Sequence, residues 1–561
     1  MIRPAVWRPA DGLTLEPNAL RAATEREHCL VLTAGPGAGK TEMLAQRADF
    51  LLRTGTCRYP KRILAISFKV DASRNLKERV RRRTGSDLSA RFDSYTFHAF
   101  AKRIIDRFRP ILTGNDALDP DYIIGNSKVT RRQIKFSDLV PLAIQILETS
   151  QVARNAVRKT YSDVFLDEFQ DCTDKQYELV KLVFQGTTIR LTAVGDTKQK
   201  IMAWAGALEG IFSTFAADFN AVPLNMYLNF RSKARLLRMQ NEIIRVLDPV
   251  SMMPDEQVAG NEGEILAWGF DTSQLEAEHL VTQIAGWIND EGVPHSEIAI
   301  LVRQQPDLYA DVLMAELEKR GIPYRNEQQL QDLSVEPVAM LIVNYLLSLY
   351  GTREPVAWLR LMNQLIQFAD ETEQAQTRQD WQKFIKLERK QAELFDLLDD
   401  RWPSGWSFVE NFLNRLGISS LTALSPDYES ATRLNEVIQE TKTRIEEQLK
   451  IEPDLIKALA KFSEDQAVRI LTIHKSKGLE FDSVIILGVE NQTFWGNEAD
   501  QRCTFFVGMS RAKQRLVLTA CQTRRTPPCN PNRWSEQRTP HKEFLGYALP
   551  FLERESGLVQ K

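Results

Sequence analysis

The segment that decides the fold is Ala34-Gly35-Pro36-Gly37-Ala38-Gly39-Lys40-Thr41. It follows the apolar run Cys29–Thr33 and opens the helical pattern Glu42–Leu52. Glycines let main-chain N–H groups turn toward phosphate oxygens, and the first turn of a helix adds a partial positive charge. Lys40 would reach the β- and γ-phosphates of a nucleotide, and Thr41 would ligate Mg²⁺. The strand–loop–helix order therefore predicts a P-loop that binds ATP.

A second apolar run ends in two adjacent carboxylates, within Val164-Phe165-Leu166-Asp167-Glu168-Phe169-Gln170-Asp171. We expect Asp167 to hold Mg²⁺ and Glu168 to polarise the attacking water, because phosphoryl transfer needs metal charge and an oriented nucleophile. An acidic pair alone is weak evidence, since such pairs commonly cap strands and helices. Together with the P-loop upstream, it predicts a nucleoside triphosphate hydrolase.

Apolar strand patterns that alternate with helical patterns occur in two separated sets along the chain. Continuous apolar strands of this kind indicate parallel sheets that are covered on both faces. The fold class is therefore predicted to be α/β, with two parallel-sheet domains that each carry a helical insertion. The predicted ranges are a first core of residues 1–101 and 159–220, a small DNA-contacting insertion of residues 102–158, a second core of residues 221–350 and 465–561, and an accessory insertion of residues 351–464.

The overall charge does not point to nucleic acid, because 72 basic and 74 acidic residues leave a net charge of −2. Six of the ten residues from Arg74 to Arg83 are basic, which fits either a phosphate-contacting patch or a solvated helix face. None of the six cysteines forms a C-x-x-C pair, so a zinc ribbon is not expected. With no apolar run of signal-peptide type at the N-terminus, we expect a cytoplasmic protein without a membrane partner.

Seven ordered segments resemble the motifs of the UvrD/PcrA/Rep family of superfamily 1 DNA helicases. They lie between about residue 18 and residue 515, so the resemblance covers nearly the whole chain, and it implies two RecA-like domains. The matching segments are Ala65-Ile66-Ser67-Phe68, Thr96-Phe97-His98, Asp167–Asp171, Val194–Gln199 with Trp204–Ala207, Asn229–Ser232, Ile473–Phe481 and Val507–Ala512.

The resemblance assigns roles around the nucleotide. Gln199 would sense the γ-phosphate from the first core, and Arg231 and Arg511 would reach it from the second. An arginine in this role contributes about 10³–10⁵ in rate. The residues expected around the ribose and base are Asn18, Glu42, Phe230, Gly478 and Glu480.

Three of these residues depart from the family pattern. Asn18 stands where relatives have an adenine-reading glutamine that is one methylene longer. Glu42 stands where relatives often place an arginine, and Phe230 replaces a tyrosine but still offers a ring for stacking. The departures predict relaxed selectivity for the nucleotide base.

A single-stranded DNA track is also implied by the resemblance. Helicases without sequence preference combine a basic groove with aromatic rings on which bases stack. For each aromatic residue, packing in the core is the alternative. The expected DNA-contacting residues are Phe68, Thr96, Phe97, His98, Trp204, Arg303 and His474.

The sequence leaves two functions open. One is an ATP-dependent translocase and 3′→5′ helicase on single-stranded and 3′-tailed duplex DNA, in DNA repair or anti-phage defence. The other is a nucleotide-gated DNA-binding subunit, favoured by the lack of an aromatic residue from Thr523 to Cys529, where relatives carry a strand-separating hairpin. A small-molecule kinase would not explain the second α/β half. The compact insertions are compatible with the helicase subunit of the Gabija antiviral system, which has a nuclease partner.

Overall fold

The architecture is taken from a computed structural model of the chain. It describes residues 2–68, 70–125, 127–199, 210–326, 333, 336–352, 354–366, 371–395, 401–422, 424, 425, 428, 431–463, 467–527 and 534–552. In this part of the chain, no helix is both long enough and apolar enough to cross a membrane.

The first half alternates strands with helices, as its apolar runs predict. The helices are α1 (Pro17–Thr24), α2 (Lys40–Arg53), α3 (Val70–Thr84), α4 (Ser86–Ser89), α5 (Phe97–Phe108), α6 (Leu139–Thr149), α7 (Gln151–Thr160), α8 (Asp174–Phe184) and α9 (Ile211–Phe219). The strands are β1 (Leu30–Ala34), β2 (Arg62–Ser67), β3 (Phe92–Thr96), β4 (Leu118–Ile124), β5 (Arg131–Ile134), β6 (Tyr161–Leu166), β7 (Arg190–Gly195) and β8 (Val222–Met226).

Six of these strands form the first sheet, in the order β3-β2-β6-β7-β1-β8, and every pairing is parallel. Apolar clusters cover both faces of the sheet, which explains why its strands read as continuous apolar runs. Because the strands are parallel, the segments that follow β1, β6 and β7 emerge at one edge. This edge is where ligands bind in open parallel sheets.

The second half contains the remaining elements. The helices are α10 (Ala234–Leu247), α11 (Ser273–Asn289), α12 (Pro306–Tyr309), α13 (Asp311–Lys319), α14 (Pro337–Tyr350), α15 (Pro355–Leu365), α16 (Glu371–Phe395), α17 (Arg401–Leu416), α18 (Ile418–Thr422), α19 (Ala431–Ile451), α20 (Leu455–Ser463), α21 (Glu498–Met509) and α22 (Lys542–Ala548). The strands are β9 (Glu264–Thr272), β10 (Ile298–Val302), β11 (Tyr324–Asn326), β12 (Val468–Thr472), β13 (Phe481–Ile486) and β14 (Ala512–Thr523).

These strands form a second parallel sheet, in the order β11-β12-β10-β13-β14-β9. Buried clusters again cover both of its faces. The predicted α/β class with two RecA-like parallel-sheet domains is confirmed.

The insertions and boundaries differ from the predicted ranges in three places. The first insertion is not purely helical, because β4 and β5 form a small sheet within it. β8 pairs with β1, so the first core extends to Met226 rather than ending at residue 220. α14 packs into the same apolar cluster as α15 to α20, so the accessory insertion already includes Pro337–Tyr350.

Candidate nucleotide site and nucleic-acid interface

The P-loop joins the end of β1 to the start of α2. Gly37 and Gly39 have φ angles of 68° and 78°, a left-handed conformation that glycine adopts without steric cost. The Lys40 ammonium donates to the carbonyl oxygens of Ala34 and Gly35, at 3.2 and 3.4 Å. The amine therefore lies inside the concave face of the loop, where a phosphate oxygen would compete for its hydrogen bonds.

The carboxylate pair lies at the end of β6 at the same edge of the sheet. Asp167 is fully buried, and burial together with the neighbouring Glu168 charge raises the pKa of its carboxyl to about 7. Glu168 has a φ of 51° and ψ of 40°, which is a strained conformation for a residue with a side chain. Backbone strain of this kind clusters at functional sites.

A chain of hydrogen bonds leads from Glu168 across the cleft. The Gln170 amide nitrogen donates to Glu168 Oε2 at 2.6 Å, and Gln170 Oε1 accepts from the main-chain nitrogen of Asp196 at 3.0 Å. Asp196 Oδ2 accepts from Gln199 Nε2 at 2.9 Å. Gln199 Oε1 accepts from Arg511 Nη2 at 3.0 Å. Gln170 and Asp196 were missed as site residues, although both lie inside quoted motifs.

The second core supplies two arginines to this cleft. Arg511 is 2% exposed, and burial followed by the neighbouring Arg231 charge lowers its pKa to about 9, so the guanidinium stays charged at neutral pH. Arg231 donates to Glu480 at 2.7 Å and to the Ser510 carbonyl at 3.2 Å. Its Cβ lies so close to the P-loop that a side chain at Gly37 would come within 2.6 Å of it. The structure therefore brings both predicted arginines to the first core.

A lysine outside the predicted set also bridges the two cores. Lys477 Nζ lies 2.6 Å from Asp171 Oδ2 and donates to the main-chain oxygen of Gln199 at 3.0 Å. Lys477 is 6% exposed. Lys477 lies within the motif Ile473–Phe481, so the sequence marks it as a candidate site residue. The sequence does not show that its partners are Asp171 and Gln199.

The predicted base-binding residues occupy different environments. Phe230 is 67% exposed and its ring lies beside Gly39, so it is available for stacking. Asn18 Nδ2 donates to the Asn225 carbonyl at 2.7 Å, which commits this amide nitrogen to joining α1 to β8. Gly478 has a φ of 90°, in the left-handed region.

Glu42 is held away from its predicted role by ion pairs. Arg83 donates to both of its oxygens, at 2.8 and 2.9 Å, and Arg79 approaches at 3.4 Å. Burial acts to raise its pKa, but these hydrogen bonds outweigh it and leave the pKa below the usual value. Part of the basic run Arg74–Arg83 therefore neutralises acidic neighbours and is not free to bind phosphate.

The residues present fit a nucleotide with a divalent cation. Burial and the Glu168 charge raise the pKa of the Asp167 carboxyl, so a cation beside it would stabilise its charged form. Thr41 adds a hydroxyl oxygen at the start of α2. Among the residues described, no cluster of three or more histidine, cysteine or acidic side chains could hold a metal ion alone. The Asp167 carboxylate and the Thr41 hydroxyl are oxygen ligands of the kind that Mg²⁺ accepts, together with substrate phosphates.

Comparison with known protein families decides the relationship. A model of the UvrD/REP helicase N-terminal domain matches residues 15–121 and 115–220, and a model of the UvrD-like helicase C-terminal domain matches residues 224–400 and 360–523. The chain belongs to the UvrD/REP helicase family. Membership confirms the predicted enzyme class, an ATP-dependent DNA helicase.

Individual relatives are similar over most of their length. DNA helicase II of Escherichia coli K12 is 25% identical over 90% of this helicase and 84% of its own chain. The ATP-dependent DNA helicase Rep of Salmonella typhimurium is 25% identical over 89% of each chain. The ATP-dependent DNA helicase PcrA of Leuconostoc citreum is 23% identical over 95% of this helicase and 86% of its own chain.

The predicted DNA contacts of the helicase on its first core follow the ends of β2 and β3, which are neighbours in the sheet. Phe68 is half-buried, with its ring 5.3 Å from that of Phe97. Phe97 is 1% exposed, so the prediction that it contacts DNA is corrected: it is a core side chain. Thr96 is 6% exposed and caps α5, accepting from the main-chain nitrogen of Ala99. The His98 ring packs against that of Phe136 in the insertion, with the two centroids 4.1 Å apart and the planes tilted by 34°.

The second core places two predicted contacts at one edge. His474 follows β12 and is half-buried, and Arg303 follows the adjacent strand β10. Arg303 donates to Gln501 Oε1 at 2.8 Å, which holds its guanidinium at this edge of the helicase. Trp204 lies outside the described residues.

A hairpin follows the sixth motif of the helicase. Its two arms are joined where the main-chain nitrogen of Arg524 donates to Glu536, and that of Arg538 to Gln522, both at 2.8 Å. Trp534 closes the base, with its ring 5.0 Å from that of Tyr309 and its indole nitrogen donating to the Arg524 carbonyl. The only aromatic residue between Arg524 and Arg538 is therefore engaged at the base.

Proposed function

We propose that this helicase hydrolyses ATP with Mg²⁺ in the cleft between its two cores and moves 3′→5′ along single-stranded DNA. The observation that carries the proposal is the hydrogen bond between Arg511 of the second core and Gln199 of the first, at 3.0 Å. This bond brings Arg511 to the cleft that holds Lys40, so one cation from each core would contact the same phosphate and nucleotide binding would favour the closed cleft. Only such a differential interaction shifts a conformational equilibrium.

The residues of the cleft divide the chemistry between them. Lys40 binds the phosphate chain, and Glu168 accepts a proton from the attacking water while Gln170 holds its carboxylate. Thr41 and Asp167 would ligate Mg²⁺, which supplies positive charge to the transferred phosphoryl group. Arg231 and Arg511 stabilise the charge of the transition state from the other side. Loss of the γ-phosphate removes their shared ligand and allows the cores to separate.

Substrates of the proposed reaction are single-stranded DNA and 3′-tailed duplex DNA. Support comes from the family membership and from the placement of Phe68, His98, Arg303 and His474 at two sheet edges. The 3′→5′ polarity rests on the family resemblance. Action in DNA repair or anti-phage defence, with a nuclease partner, is the remaining part of the proposal, and co-purification of a nuclease with the tagged chain from its host tests it.

A steady-state assay tests the enzymatic proposal. ATP hydrolysis is measured with and without single-stranded DNA, followed by separation of 3′-tailed and 5′-tailed duplexes. We expect hydrolysis that DNA stimulates, separation from the 3′ tail, and neither activity in Lys40→Ala. Separation from the 5′ tail alone would refute the polarity.

A second function, a nucleotide-gated DNA-binding subunit, is favoured by one observation. The hairpin after the sixth motif has no aromatic residue outside its base. Under this alternative, DNA still stimulates hydrolysis and ATP still changes DNA affinity, but neither tailed duplex is separated.

A further inference from the structure

The loop between β13 and α21 carries two neighbouring aromatic residues in opposite environments. Phe494 is 4% exposed, with its ring 5.2 Å from that of Phe544 and 6.0 Å from that of Phe505. Trp495 is 64% exposed. A buried ring thus fixes the loop, and the next ring is held in solvent. Single exposed apolar residues are ordinary on protein surfaces, so the position of this ring must decide its role.

The loop that carries Trp495 leaves the second sheet after β13, at the edge that already carries two predicted DNA contacts. The strands β12, β10 and β13 are consecutive neighbours, with Val302 opposite Thr472 and Leu301 opposite Ile486. Because these strands are parallel, the segments after them emerge side by side. Arg303 and His474 closely follow two of these strands, and the loop that leads to Trp495 follows the third.

A single residue, Gln501, connects the Arg303 guanidinium with the Trp495 loop. Gln501 accepts from Arg303 at 2.8 Å, and its main-chain nitrogen donates to the Asn497 carbonyl at 3.0 Å. Gln501 and Gly496 also line one cleft. Arg303 and the loop that presents Trp495 are thus held in a fixed relation.

The charges beside Trp495 are mixed. Lys542 and His541 line the cleft, but so do Glu498 and Glu543, and Arg502 pairs with both of these carboxylates. Phosphate binding in this cleft is therefore disfavoured relative to Arg303, which donates to the neutral Gln501 amide and feels the Asp500 carboxylate only as a secondary electrostatic influence. The neighbourhood suits a base contact at Trp495 and a backbone contact at Arg303.

We propose that Trp495 stacks on a base of the single strand and extends the DNA track from His474, past Arg303, to β13. The inference rests on the proposed function and adds a contact to it. An aromatic ring on a rigid loop provides stacking without sequence preference, because every base has a π-face.

The test is fluorescence anisotropy of a labelled oligothymidylate binding to the full chain. We expect Trp495→Ala to weaken binding about five- to 150-fold, as the loss of one stacked base predicts. Trp495→Phe keeps a ring and should stay within about threefold of the unmodified chain. Tyr59→Ala is the matched control, since Tyr59 is 81% exposed but precedes β2, at the opposite edge of the first sheet.

Two further readouts separate stacking from a structural effect. On an oligonucleotide with abasic sites, Trp495→Ala and the unmodified chain should bind equally, because no base remains to stack. Trp495→Ala should also leave the salt dependence of binding unchanged, whereas Arg303→Ala should reduce its logarithmic slope by about 0.7.

The outcomes distinguish this inference from the proposed function. Equal affinity of Trp495→Ala and the unmodified chain for oligothymidylate overturns the stacking contact and leaves the translocase proposal standing. An undiminished penalty on the abasic strand also overturns it. If the unmodified chain does not bind single-stranded DNA, both proposals fall.

Discussion

At the scale of single residues, the cleft is built from charges that the fold withdraws from water. Asp167 and Arg511 are both fully buried. Burial raises the pKa of the Asp167 carboxyl and lowers that of the Arg511 guanidinium, so it disfavours the charged form of each. A buried ion without its partner is costly, so each group has a strong preference for an opposite charge. The site is thereby prepared for a polyphosphate with a cation before either arrives.

Replacing Arg511 by lysine tests whether guanidinium geometry matters beyond charge. Arg511 donates to Gln199, to the Val507 carbonyl at 2.9 Å and to the Leu479 carbonyl at 3.3 Å. Lysine lacks the planar fork that makes these bonds together. We expect DNA-stimulated hydrolysis to fall about 10³-fold or more, with little change in DNA affinity. Arg502→Lys, on the helix α21 that precedes Arg511, is the control, and a rate near that of the unmodified chain for Arg511→Lys would contradict the assignment.

His98 gives the molecule a measurable acid sensitivity. Burial lowers the pKa of its imidazole to about 4 from the usual 6.5. Between these values His98 binds a proton in the unfolded chain but not in the folded chain. Its contribution to the free energy of unfolding is therefore constant above pH 6.5 and becomes unfavourable as the pH falls toward 4. His98→Phe should remove up to about 3 kcal/mol of this loss.

Urea midpoints at pH 7.5 and 4.5 measure the effect of His98→Phe. The exposed His28 provides a control, because His28→Gln should keep the acid-dependent loss. An unchanged difference between the two pH values in His98→Phe would show that the ring titrates normally.

Motif residues differed in how well sequence alone could place them. Lys40 was predictable because a P-loop requires a cation at a fixed point of the loop, whereas the role of Arg511 was predicted only from the family resemblance. Phe97 was not predictable, because Thr96-Phe97-His98 begins a helix and the sequence does not show which of its side chains faces the core. Gln170 was missed because its role depends on the position of Asp196, which is distant in sequence.

At the scale of elements, the loop between β12 and β13 connects the proposed DNA-binding edge with the nucleotide cleft. His474 at its start lies at the proposed DNA edge, and Glu480 at its end pairs with Arg231 in the nucleotide cleft. Lys477, between them, contacts Asp171 and Gln199 of the first core. A shift of this short loop therefore changes both sites.

Lys477→Met should uncouple the sites by removing the cross-cleft ion pair. We expect stimulation of hydrolysis by DNA to fall by about five- to 150-fold, the range of a typical coupling free energy. Lys475→Met, two residues earlier in the same loop, is the control. The double variant Lys477→Met/Asp171→Asn measures the pairwise energy. Full stimulation in Lys477→Met would mean that the ion pair does not transmit the signal.

At the scale of the whole molecule, the hairpin after β14 is mounted on the core by buried ions. Arg524 lies 2.8 Å from Glu490 and 2.9 Å from Glu276, and all three side chains are nearly inaccessible to solvent. Trp534 packs on Tyr309 at the base. The described arms of the hairpin are therefore held rigidly on the second core.

Trp534→Ala should therefore lower the number of base pairs separated per ATP hydrolysed. Hydrolysis on single-stranded DNA should persist, since the described hairpin residues are separate from those that form the nucleotide cleft. Trp534→Phe keeps a ring against Tyr309 and should retain more separation activity. Parallel assays of hydrolysis and 3′-tailed duplex separation measure the ratio, and an equal loss of both would indicate general misfolding instead.

The overall architecture was predictable because continuous apolar strands between helices have few alternatives to parallel sheets. The boundaries were less so. β8 reads Val222-Pro223-Leu224-Asn225-Met226, a weak strand pattern, and its pairing with β1 depends on tertiary contact. α14 is apolar on all sides, which predicts that it is buried. The pattern does not show that it packs with the helices of the accessory insertion.

In the described part of the chain, the path from one core to the other is the five-residue stretch between β8 and Ser232, whose hydroxyl bonds to the Ala512 carbonyl. Within it, the Phe230 main-chain nitrogen donates to the Gly37 carbonyl at 2.9 Å. The P-loop therefore lies directly against the connection between the two cores, where any rotation of one core against the other produces the smallest displacement. A small rotation at this connection would displace the ends of the two insertions by a larger distance. Those ends are therefore the places to attach fluorescent probes of cleft closure.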